Sequence, residues 1–252
     1  MCAHVLPDYN ALLAISSRGA WDPESFDLTP DLLRWPALPE AVQRQLLGLF
    51  AGFLVGEQAV AEHLVPFEAA ASDAGLRACL RAQQVEEVRH AVATARVWEA
   101  FADAGRAGLD DAVALAPPAL VDLFSEQLPK TARAAAADLS SAIALYHGLL
   151  EGVVFLAGQT AVRALAEEWG LPGIAGTFER IERDERWHVA LGVRALLDSP
   201  DGAAVAAQLP AQAGPAAESW GSLVDEQTRR EAVALVTRRL TTAGLLSAGS
   251  PA

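Results

Sequence analysis

Leu76–Phe101, LRACLRAQQVEEVRHAVATARVWEAF, decides the fold. Leu76, Leu80, Gln83, Glu87, His90, Thr94, Val97 and Phe101 recur every three or four residues and so line one face of an α-helix. Glu87 and His90 stand inside that otherwise core-facing stripe. Residues three apart project about 60° from one another, so a carboxylate and an imidazole at this spacing reach the same ion. A second pair, Glu185 and His188, falls in the stripe Ile174, Phe178, Ile181, Glu185, His188 and Gly192. Two more long apolar stripes each carry one acid: Glu57 follows Leu46, Leu49, Phe50, Phe53 and Leu54 and precedes Val60, and Glu151 lies with His147, Leu150, Val154, Phe155 and Gly158.

A buried carboxylate without a partner costs several kcal/mol, so four of them on inward faces demand a common cation. Glu57, Glu87, His90, Glu151, Glu185 and His188 are therefore the candidate ligands of a two-metal site inside an all-α four-helix bundle. Each Glu-x-x-His pair is expected to hold one ion, and Glu57 and Glu151 can bridge or cap the two. Hard oxygen donors with two imidazoles and no thiolate favour iron or manganese over a structural zinc.

The chain has 252 residues, 52% of them hydrophobic, and long Ala/Leu/Glu/Arg-rich runs without sustained strand alternation. One domain is expected: a lead-in over 1–38 broken by four prolines, a metal-bearing bundle over 39–200, and an accessory helix and tail over 201–252. Within the bundle, helices are predicted from about Pro39 to Val65, from the Ser72/Asp73 cap to Ala104, from Pro117 to Gln127, from after Pro129 to Trp169, and from Thr177 to Leu197. A last one, Pro215 to Ala243, packs outside the core. A net charge of −13 argues against nucleic acid as a partner, because neutralising phosphates needs a basic surface. Cys2 and Cys79 are the only cysteines. They make no disulfide framework, and with no signal-like or membrane-spanning apolar run the expectation is a cytoplasmic protein not integral to a membrane.

Other polar residues divide by helical geometry. His4 and His63 read as surface or tail. His147, one turn before Glu151, serves either the centre or the core. Phe155 is a pocket wall or a plain core ring. Tyr146, five residues before Glu151, lies about 140° away on an ideal helix and reaches the metals only if the helix is distorted locally, for example by a π-bulge. Asp184 points outward unless it reaches sideways to hydrogen-bond a ligand histidine.

The order Glu57, Glu87-x-x-His90, Glu151, Glu185-x-x-His188, with separations of 30, 64 and 34 residues, resembles the ribonucleotide reductase small-subunit superfamily of the ferritin-like fold. Trp21-Asp-Pro-Glu-Ser-Phe-Asp-Leu, Val55-Gly-Glu-Gln-Ala-Val-Ala-Glu, Glu86-Glu-Val-Arg-His-Ala and Asp184-Glu-Arg-Trp-His-Val-Ala-Leu-Gly extend the likeness over about residues 20–200. Within the superfamily the chain is more similar to the ligand-binding oxidases. Its first acid is Glu57 rather than Asp, its middle gap is short, and Val60 and Tyr146 stand where those oxidases join a valine to a tyrosine by an ether cross-link. The resemblance implies a heterodinuclear Mn/Fe centre, or two Fe, that activates O2 beneath a hydrophobic or long-chain fatty-acid ligand in a homodimer. It also implies that Asp184 bonds His90, with Trp21 close by. Thr94 stands where many reductase subunits place a radical tyrosine, and Tyr9 and Tyr146 are the only tyrosines. A reductase small subunit without a tyrosyl radical, or a non-catalytic ferritin-like metal-binding protein, are the alternatives.

Overall fold

A computed structural model describes residues 6–102, 105 and 107–247. Cys2, His4 and the expected helix end at Ala104 lie outside them. The described residues are overwhelmingly helical and contain no strand. The lead-in folds into α1 (Tyr9–Gly19) and α2 (Thr29–Arg34), followed by α3 (Glu40–His63), α4 (Val65–Ala70) and α5 (Ala74–Phe101). Next come α6 (Leu109–Leu115), α7 (Pro118–Asp122) and, after a π-helical turn, α8 (Leu128–Ala134). Then α9 (Leu139–Ile143), a π-helical stretch (Ala144–Phe155) and α10 (Leu156–Trp169) run on as one helix, ahead of α11 (Pro172–Asp198). The chain closes with α12 (Gly202–Ala206), α13 (Leu209–Glu218) and α14 (Glu226–Ala243).

Local chemistry sets the boundaries. The Asp73 carboxylate accepts from the Leu76 amide at 2.8 Å and starts α5 at the expected cap. Asp138 does the same for Ser141 at 3.0 Å, so the third core helix begins at Leu139 and not after Pro129. Pro66 begins α4 instead of following α3, since proline's missing amide is harmless in a first turn. Pro215 lies inside α13, and the last helix starts afresh at the Asp225 cap. Gly170, at φ 69°, takes the left-handed conformation that ends α10.

Helices α3 and α5 pack as one pair and Leu139–Trp169 and α11 as a second, the two pairs meeting through α5 with α11 and α3 with α10. Between them lies an aromatic layer of Phe50, Phe53, Phe178 and Phe155, with neighbouring ring centroids 4.8–6.3 Å apart. Trp220, from the segment after α13, is fully buried against Gly52 and Gly158. A Cβ at either glycine would lie 2.5 or 2.4 Å from its ring, so only glycine lets the indole in. Its Nε1 donates to the Val154 carbonyl at 2.7 Å. Leu139–Trp169 is long and apolar enough to cross a membrane, with a mean hydropathy of 1.5, but two thirds of that window is buried in the fold and it carries Glu151 inward, as a core helix does.

Candidate metal centre

The bundle brings all six expected ligand residues together, and each is almost completely buried. Their donor atoms form two overlapping sets, Glu57/Glu87/His90/Glu185 and Glu87/Glu151/Glu185/His188, each with its atoms within 4.8 Å of one another. Glu87 and Glu185 are common to both sets. The glutamates of the Glu-x-x-His pairs are thus the ones placed to be shared between two ions, while Glu57 and Glu151 each belong to one set.

His90 Nδ1 faces Glu87, Glu185 and Glu57 at 3.3, 3.5 and 3.8 Å. His188 Nδ1 faces Glu87, Glu185 and Glu151 at 3.2, 3.2 and 3.4 Å. Donors about 2.1 Å from one octahedral ion lie roughly 3 Å apart, so these separations match a coordination shell. Both Glu57 oxygens, Glu87 Oε2, Glu151 Oε2, Glu185 Oε1 and His90 Nδ1 are buried without a hydrogen-bond partner. Orphaned acceptors gathered at one point are what a cation would satisfy, so the residues fit a dinuclear metal centre.

The electrostatics agree. Burial, and then the charges of Glu185, Glu87 and Glu151, push Glu57 well above the usual carboxylate range against the pull of His90. Burial and Glu185 do the same to Glu151. Against its own burial Glu87 is held well below that range by His188 and His90. Four carboxylates this close repel one another unless positive charge is supplied.

Each imidazole is held from behind. His90 Nε2 lies 3.4 Å from Asp184 Oδ2, and the same oxygen accepts from Trp21 Nε1 at 2.6 Å and from Arg89 at 3.3 Å. Asp184 is buried, reaching sideways and not outward. The mirror arrangement, which sequence reasoning missed, is built on Glu86. That carboxylate accepts from His188 Nε2 at 2.9 Å, Trp187 Nε1 at 2.8 Å and Ser16 Oγ at 2.6 Å. The acid preceding each inner glutamate thus crosses to the histidine of the other helix and holds its Nε2 edge, which leaves Nδ1 facing the inner acids as the atom that would bind an ion. The signal was present as two acid pairs, Glu86-Glu87 and Asp184-Glu185.

Tyr146 is at the centre because the helix is distorted. The π-helical stretch Ala144–Phe155 has wider turns, which bring residues five apart onto one side. The Tyr146 hydroxyl donates to Glu87 Oε1 at 2.7 Å. Gln83, another residue the sequence reading left as part of a stripe, donates to Glu151 at 2.6 Å and Glu87 at 3.0 Å and lies 3.3 Å from the Tyr146 oxygen. Its carbonyl accepts from His147 Nε2 at 2.9 Å. Burial, then the charge of His188, lowers His147 to about 3, so it is neutral at ordinary pH. Val60 is fully buried one turn beyond Glu57. Phe155 stacks on Phe124 at 5.2 Å and against Gly56, which makes it a core ring and not an open pocket wall. Thr94 turns its hydroxyl to the His90 carbonyl at 3.0 Å.

Residues 11–197, about three quarters of the chain, match the sequence profile of the family described as ribonucleotide reductase, small chain. The chain belongs to the ribonucleotide reductase small-chain family. That family's dinuclear-metal oxidoreductases are the class in which it falls. Solved structures of an R2-like ligand-binding oxidase share the fold. One with an aerobically reconstituted metal cofactor after photoconversion has a TM-score of 0.77 at 20% identity, covering 96% of this chain and 94% of that one. Another, with aerobically reconstituted Mn/Fe cofactor, has a TM-score of 0.77 at 19% identity, covering 95% and 92%. At this identity the small-chain family member shares their helical architecture over nearly its whole length.

Proposed function

We propose that this chain is an O2-activating oxidase with a dinuclear Mn/Fe, or Fe/Fe, centre held by Glu57, Glu87, His90, Glu151, Glu185 and His188, acting on a C–H bond. The observation that carries the reading is the pair of overlapping, dry four-donor sets with orphaned acid oxygens. When bound, the metal pair supplies the electrons that reduce O2 and the oxidising power that removes hydrogen from carbon.

The chain's own residues set the stage. Four carboxylates neutralise two divalent cations, and the aromatic layer excludes water. Asp184 and Glu86 orient the two imidazoles, and Gln83 ties Tyr146, Glu87 and Glu151 together. Tyr146 is the tyrosine with its hydroxyl at the acids and is the internal substrate in this reading. An ether bond from its oxygen to Val60 Cβ removes one O–H and one C–H hydrogen, with O2 as the oxidant, and requires the hydroxyl to give up Glu87 and Gln83. A long-chain fatty acid as bound ligand and a homodimer complete the proposal.

The test is anaerobic loading with Fe(II) and Mn(II), then O2. O2 uptake is expected, with an intact mass lower by two hydrogens in wild type and an unchanged mass in Tyr146→Phe, which lacks the phenolic oxygen. No O2 uptake with two ions bound would sink the oxidase reading, and uptake with unchanged mass would remove the cross-link alone. Organic extraction of the purified protein, read by mass spectrometry, checks the fatty acid.

Family membership favours a second reading, a reductase small subunit, and the Trp21–Asp184–His90 line of contacts leads from a partly exposed indole to the centre. Nucleotide reduction on addition of a reductase large subunit would establish it.

A further inference from the structure

A second constellation lies outside the bundle interior, between α11 and α14. Arg186, Val189, Ala190 and Val193 recur at helical spacing on α11, and Leu235, Arg238, Arg239 and Thr242 recur on α14. Together with Leu6 and Pro7 the two stripes line a groove of about 640 Å³. That size lies in the range of small-molecule sites, roughly 300–1,000 Å³.

The charges in the groove are one-sided. Three guanidinium groups line it and, among the described residues, no carboxylate does, in a chain with 32 acidic against 19 basic residues. Arg186 is bound on its outer side by Glu182 at 2.7 Å. Arg239 is different: its Nη1 is buried and has no hydrogen-bond partner. Burial, followed by the charges of Arg186 and Arg238, lowers its affinity for its proton, with no acid in opposition. An unpartnered guanidinium donor beside two further arginines favours an anion over a neutral or cationic ligand. Apart from Thr242 the rest of the wall is apolar, with Leu6, Val189, Val193 and Leu235 its larger members, and suits an alkyl body.

We propose that the α11–α14 groove binds a small amphiphilic anion, with its carboxylate or phosphate head on Arg239 and Arg238 and its alkyl body over Val189, Val193 and Leu235. The site is independent of the metal centre and of the oxidase reading. Its head-group chemistry selects anions, and its aliphatic wall selects against simple inorganic ones.

Calorimetric titration of the full-length protein with octanoate, octyl phosphate and octanol, below micellar concentrations, tests the proposal. One anion per chain is expected, with octanol weaker by about tenfold because the charge-assisted hydrogen bonds are lost. Arg239→Gln should weaken the anions by about tenfold and Leu235→Asp by a similar factor, while Arg44→Gln, an exposed arginine elsewhere, should leave binding unchanged. Tighter octyl phosphate assigns a phosphate head, and tighter octanoate a carboxylate. Should Arg239→Gln fail to fold, a diazirine-bearing octanoate on wild type must label α11 or α14. Absence of binding by both anions, equal affinity in Arg239→Gln, or labelling elsewhere overturns the assignment.

Discussion

Removing the Glu86 carboxylate should damage the metal centre without touching a ligand. Glu86 is 2% exposed and accepts hydrogen bonds from Ser16, Trp187 and His188. Hydrogen bonds to a charged group are each worth about 1.5–3 kcal/mol. Glu86→Ala strands three buried donors at once, and partial entry of water into the gap reduces the sum. The expected loss is about 3–5 kcal/mol of metal-free stability, the scale of breaking a buried ion pair. A freed His188 ring also loses the partner that holds its Nε2 edge. Partners of this kind are worth 10–100-fold in metal affinity, so the ion beside His188 should bind about that much more weakly. The other ion, backed by Asp184, should be affected far less, and Asp184→Ala should show the reverse asymmetry. Equilibrium dialysis with elemental analysis reads the affinities, and urea unfolding reads the stability. Two equally tight ions in Glu86→Ala, together with an unchanged unfolding midpoint, would refute the positioning role.

Three further outcomes follow from the packing and the caps. Gly192→Ala places a Cβ 2.2 Å from His147 Cβ, so urea unfolding should show a loss of about 1–3 kcal/mol from overpacking, and the Gln83–His147 contact should shift in a crystal structure. Asp225→Ala removes the α14 cap and should cost about 1 kcal/mol. The Thr228 amide and hydroxyl hold Asp225 below its ordinary 3.8, so the cap's contribution is present above that value and fades as pH falls through the lowered folded-state pKa. Unfolding curves of wild type and variant should therefore converge in acid. Burial, with the charge of Asp73 adding to it, pushes the Cys79 thiol up to about 12, so iodoacetamide at pH 8 should leave Cys79 unmodified in the native protein and label it after unfolding, as read by peptide mapping.

The bundle and the gathering of six polar side chains were legible because apolar periodicity is a strong signal and carboxylates in such stripes stand out. Less was legible where tertiary contact or backbone distortion decides. Asp184 looked outward on ideal geometry, yet Trp21 and His90 draw it in. Glu86 was hidden in plain sight, since a doubled acid on a helix is usually solvated surface, and only the approach of α11 and α1 turns it into a buried acceptor. The place of Tyr146 depended on a π-helical stretch, which sequence periodicity does not specify. Trp220 was invisible because its slot is made by two glycines, Gly52 and Gly158, on separate helices. The late start of the third core helix was set by the Asp138 cap, a competitor to the proline signal at Pro129.

The most direct test is anomalous diffraction at the manganese and iron edges from crystals of metal-loaded protein. Two peaks per chain are expected, one among Glu57, Glu87, His90 and Glu185 and the other among Glu87, Glu151, Glu185 and His188. A single peak, or peaks away from these side chains, would contradict the dinuclear centre.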